Sequence, residues 1–71
     1  MRENLYQLAR EYVALLEKIE RTKDPSKIQY LEEMRVELHG RVMDMLKKQG
    51  IKFKDRDHAT RIAYRIVNGE L

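Results

Sequence analysis

The chain has 71 residues, of which 38% are Asp, Glu, Lys or Arg, with a formal charge of +3 and no cysteine. That length limits it to a single small domain spanning residues 1–71, near the lower size at which one apolar core folds unaided, and the missing cysteines exclude disulfides, zinc–thiolate centres and thiol nucleophiles. No apolar run reaches the roughly 18 residues of a membrane span, and Met1-Arg2-Glu3-Asn4 leads into a helical pattern without a signal-peptide core, so a soluble, cytoplasmic protein with no membrane partner is expected.

Stability in so small a chain has to come from packing or from self-association, which points toward an oligomer. One serine, two threonines and two asparagines stand against many Glu, Lys and Arg, a bias that fits a heat-stable protein from a thermophilic source. The charge is uneven: residues 1–46 hold eight Lys and Arg against nine Asp and Glu, net −1, whereas residues 47–71 hold seven against three, net +4.

The first predicted helix covers about residues 3–22. Leu5, Leu8, Tyr12, Leu15 and Ile19 recur at spacings of three and four, which places them on one helix face. Tyr6, Ala9, Val13 and Leu16 widen that face to about half the circumference, more than one partner helix would cover. Glu3, Gln7, Arg10, Glu11, Glu17, Lys18 and Arg21 form the solvated side, with Glu17 and Arg21 at a favourable i,i+4 spacing.

Residues 21–26, Arg-Thr-Lys-Asp-Pro-Ser, form a short connection. Asp24 caps the next helix with Pro25 in its first turn, or Ser26 caps it with Gln29 three residues on. Either start makes residues 26–49 the second helix and sets it beside the first as an antiparallel αα-hairpin. Its main stripe is Ile28, Leu31, Met34, Leu38, Val42, Met45 and Leu46, expected to face helix 1. Val36, Gly40 and Met43 form a second, narrower apolar line on the other side. A glycine within a helix is about 1 kcal/mol less favourable than alanine, so Gly40 suggests a close approach by another backbone. Lys47 and Lys48 oppose the helix dipole, and Gly50 followed by Ile51 gives a Schellman stop.

Lys52-Phe53-Lys54 is too short for a sheet, and Phe53 is expected to tuck under the bundle from an extended connection. Asp55 or Asp57 caps a third helix over about residues 56–67, with Ala59, Ile62, Ala63 and Ile66 on its inner face and Asn68-Gly69 as its exit. Its outer face lines up His58, Arg61 and Arg65.

Catalytic patterns are nearly absent. Ser26, Thr22 and Thr60 lie at caps, at a helix end or on a helix side, with no base set beside them by motif. The isolated Gly40, Gly50 and Gly69 form no phosphate-binding loop. The imidazoles are His39 and His58; Glu32, Arg35 and His39 share a flank of helix 2, read as an exposed ion-paired surface unless another chain completes a composite site. No catalytic residue, metal, cofactor or small-molecule substrate is expected.

Recognition centres on Lys47, Lys48, Lys52, Lys54, Arg56, His58, Arg61 and Arg65, interrupted by Asp55 and Asp57. Such a cluster meets an acidic protein surface or neutralises phosphates. The fold class expected is all-α, a long helical hairpin plus a short third helix, dimerising into a bundle through Tyr6, Val13, Val36, Gly40 and Met43. The function expected is a non-enzymatic interaction or regulatory module with a basic C-terminal surface. The alternative is a small nucleic-acid-binding protein using residues 47–65, with Arg61 and Arg65 toward a groove.

Overall fold

The computed structural model describes residues 4–70, which form three α-helices and no strand: α1 (Leu5–Arg21), α2 (Pro25–Lys48) and α3 (Arg56–Val67). Their starts are set by short polar side chains that satisfy otherwise unpaired backbone donors. The Asn4 side chain accepts from the Gln7 N–H at 2.7 Å, Asp24 from the Ser26 N–H at 3.0 Å, and Asp55 from the His58 N–H at 2.8 Å. Asp24 is therefore the cap of α2, and Pro25 occupies the first turn. The predicted start of helix 1 at position 3 lies outside the described residues.

The ends of α2 and α3 are both Schellman stops, with Gly50 and Gly69 at φ +74°. Behind Gly50, the Ile51 N–H reaches the Leu46 carbonyl at 2.9 Å; behind Gly69, the Glu70 N–H reaches the Arg65 carbonyl at 2.8 Å. These left-handed positions favour glycine because a Cβ would crowd the following carbonyl. None of the described helices is long and apolar enough to cross a membrane.

The core draws on all three helices. Leu5, Leu8, Ala9, Tyr12 and Val13 of α1 meet Val42 and Leu46 of α2 and Ala59, Ile62 and Ala63 of α3. Ala9, Ala59 and Ala63 are completely buried, and such small side chains let the α1 and α3 backbones come close. α3 packs mainly on α1 and less on α2. Ile51 and Phe53 of the connection pack against this cluster, half-buried, as anticipated for Phe53.

Several expectations about the faces require correction. Val13, read as an oligomer-interface candidate, is buried in the chain's own core, within the cluster that α1 shares with α2 and α3. On α2 the buried positions are Leu31, His39, Val42 and Leu46, whereas Met34 is 37% exposed. With α1 and α3 both lying toward the His39 side, the buried arc of α2 turns that way and leaves Met34 at its open margin. Met43 is half-buried against the core and Val36 is exposed. A Cβ at Gly40 would have no neighbour within 4 Å, so no backbone of the described chain approaches it closely.

Two substitutions follow, read by urea denaturation. Gly40→Ala is expected to stabilise the chain by about 1 kcal/mol, the helix-propensity gain unopposed by any clash. Ala63→Leu is expected to destabilise it by about 1–3 kcal/mol through overpacking where α3 meets α1.

Candidate functional site

The basic segment begins in the last turn of α2, passes through the connection and continues on α3. Lys47, Lys48, Lys52, Lys54, Arg56, Arg61 and Arg65 are all exposed. Among the described residues the ion pairs are Glu17–Arg21 and Glu32–Arg35, and none of these seven cations belongs to either. Of the two acids among them, Asp55 caps α3 and Asp57 lies in its first turn.

His58 differs from the other residues of this group. It is half-buried, and its Nδ1 accepts a hydrogen bond from the Lys54 backbone N–H at 2.9 Å while its own backbone N–H donates to the Asp55 carboxylate. An accepting Nδ1 carries no proton, so this imidazole serves as part of the helix start. Lys54, Asp55 and His58 thereby hold the connection in a defined approach to α3, which fixes where the lysines before it emerge.

Within the segment, Lys47 and Lys52 flank an open concavity of about 470 Å³ whose floor includes Ile51 and Phe53. Arg61 and Arg65 stand one turn apart on α3, away from buried Ala59, Ile62 and Ala63. Arg56 instead borders a cleft at the meeting point of the three helices. Between them on α3, Tyr64 has its phenol pKa raised above the ordinary value of 10.0, first by burial and then by Glu20 and Glu17.

That junction cleft, about 230 Å³, is lined by Tyr12, Arg35, His39, Arg56, Asp57 and Thr60, with Val36 at its edge. Tyr12 and Thr60 share a hydroxyl hydrogen bond of 3.1 Å. His39 lies 3.2 Å through Nε2 from the Arg56 carbonyl; a carbonyl only accepts, so Nε2 is the donor. Its ring stands 5.4 Å from that of Tyr12, tilted by 50°. Arg35 is held by Glu32 at 2.8 Å, and this hydrogen bond is the main reason its pKa is raised.

The expected flank of Glu32, Arg35 and His39 is therefore divided. Glu32 and Arg35 form the surface pair, but His39, anticipated beside them as exposed, is only 4% exposed. Tyr12 and Thr60 were not linked to it by sequence reasoning because they come from other helices. The available signal was register: position 39 continues the line of Leu31, Val42 and Leu46 at helical spacing. Among the described residues no three His, Asp or Glu side chains converge to hold a metal ion, and no buried side-chain nitrogen or oxygen lacks a partner.

His39→Ala is expected to lower stability by about 2–4 kcal/mol, combining a cavity with a lost buried hydrogen bond. A solvated flank position would change it by only about 0.5 kcal/mol. Urea midpoints of the two proteins distinguish these outcomes.

Comparison with protein-family models, curated proteins and solved structures finds no match for this chain.

Proposed function

We propose that the protein is a non-enzymatic interaction module, whose two long helices form an antiparallel hairpin that self-associates, and whose basic segment from Lys47 to Arg65 binds an acidic partner protein. The three-residue connection between α1 and α2 supports the hairpin. So does the way Glu11, Leu15 and Lys18 share a groove with Arg41, Leu38 and Met34.

The observation that carries the binding reading is the concavity between Lys47 and Lys52. Its floor of Ile51 and Phe53 is apolar, and its flanks are cationic. Phosphate groups use only the cations of such a surface. A peptide segment alternating acidic and apolar side chains uses both, its carboxylates meeting the lysines while its apolar groups cover Phe53. Arg61 and Arg65 extend the positive field along α3 and favour capture of an acidic surface from a distance.

Fluorescence anisotropy with a labelled acidic–apolar peptide and with duplex DNA tests this. The peptide is expected to bind, Lys47→Glu with Lys52→Glu to weaken it at least tenfold, and Phe53→Ala to weaken it severalfold. DNA binding that falls by orders of magnitude between about 50 and 200 mM salt and ignores Phe53→Ala would favour the nucleic-acid reading instead. Absence of binding to either at low salt would remove both.

A further inference from the structure

Beside α1 and α2 runs an open groove of about 540 Å³, lined by Ala14 and Leu15 of α1, Met34 and Leu38 of α2, and four charged side chains. No residue of α3 contributes to it. α3 meets α2 on the other side, where His39 reaches the Arg56 carbonyl. The groove floor is apolar, and its rim carries one acid and one base from each helix: Glu11 and Lys18 on α1, Glu37 and Arg41 on α2.

We infer that this groove, and not the Val36–Gly40–Met43 line, is the surface through which two copies of the chain pair, an inference that rests on the hairpin and self-association proposed above. A rim of one sign would repel a second copy, and this one is neutral and mixed. In an antiparallel hairpin Lys18 lies level with Met34, and Ala14 with Glu37. A two-fold axis parallel to the helices then lays α1 of each copy across α2 of the other. Lys18 of one copy comes within a turn of Glu37 of its partner, and Glu11 faces the Arg41 end. Among the described residues neither Lys18 nor Glu37 belongs to an ion pair, so both can be used between chains. Met34, Leu38, Leu15 and Ala14 of the two copies close over one another as the seam of a four-helix bundle, with α3 outside on each flank.

Sedimentation equilibrium across a micromolar concentration range tests the inference, with circular dichroism confirming the helices of each variant. The intact chain is expected to be a dimer. Ala14→Glu and Met34→Glu, at exposed positions the monomer tolerates, are expected to raise the dissociation constant about a hundredfold. Lys18→Glu and Glu37→Lys are each expected to raise it about tenfold, and together to restore it. A dimer indifferent to all of these but broken by Val36→Glu would overturn the groove assignment while leaving self-association intact. A monomer at high micromolar concentration would overturn both, without bearing on the basic segment.

Discussion

Tyr12 is the side chain on which the arrangement of the three helices depends. It is 99% removed from solvent, with its hydroxyl on Thr60 of α3 and its ring against His39 of α2. A buried hydroxyl left unpaired costs about 1–3 kcal/mol, so α3 is placed not only by apolar contact but by where it can present Thr60. His39 adds a second tie of the same kind through the Arg56 carbonyl, which also accepts from Thr60 at 3.2 Å. The start of α3 is thus bound to both long helices by polar contacts, around which Ala9, Ala59, Ala63 and Ile62 exclude water.

This placement has consequences for both surfaces. Because α1 and α3 lie toward the His39 side of α2, the apolar residues on the other side, Met34 and Leu38, are left only partly covered. The same contact turns the opposite face of α3 outward, which is why Arg61 and Arg65 stand free of the core. The connection does not wander between the two elements. Gly50 ends α2 in a Schellman turn, Ile51 and Phe53 pack under the bundle, and Asp55 with His58 begins α3. The lysines at 47, 48, 52 and 54 are consequently held on an ordered frame, and their field adds to that of the α3 arginines instead of being spread over a flexible tail.

Much of this was legible in the chain's own pattern. Pro25, Gly50 and Asn68-Gly69 mark helix boundaries through backbone chemistry that acts locally, and the spacing of Leu5, Leu8 and Tyr12 put Tyr12 in the core. The exposed Lys and Arg positions followed from the same logic. What periodicity could not reveal was which sector of a broadly apolar helix its neighbours would occupy. α2 has apolar residues over a wide arc, so Met34 and His39 sit at opposite margins of one candidate face. The choice between them rests on Thr60 and on the carbonyl of Arg56, 17 residues further along. Val13 was misread for a related reason, since it joins the core cluster that α1 shares with α2 and α3. His58 read as one more cation, and its role at the start of α3 emerges only with the geometry of Lys54.

The central claim is that α3 is fastened to the two long helices as part of a single cooperative unit, and so carries the basic surface in a fixed position. Native-state amide hydrogen exchange tests this most directly. The amides of Ile62, Ala63 and Ile66 are expected to exchange with the same opening free energy as those of Val13 and Val42, through global unfolding. Exchange of the α3 amides at rates near those of an unstructured peptide, with α1 and α2 still protected, would contradict the account.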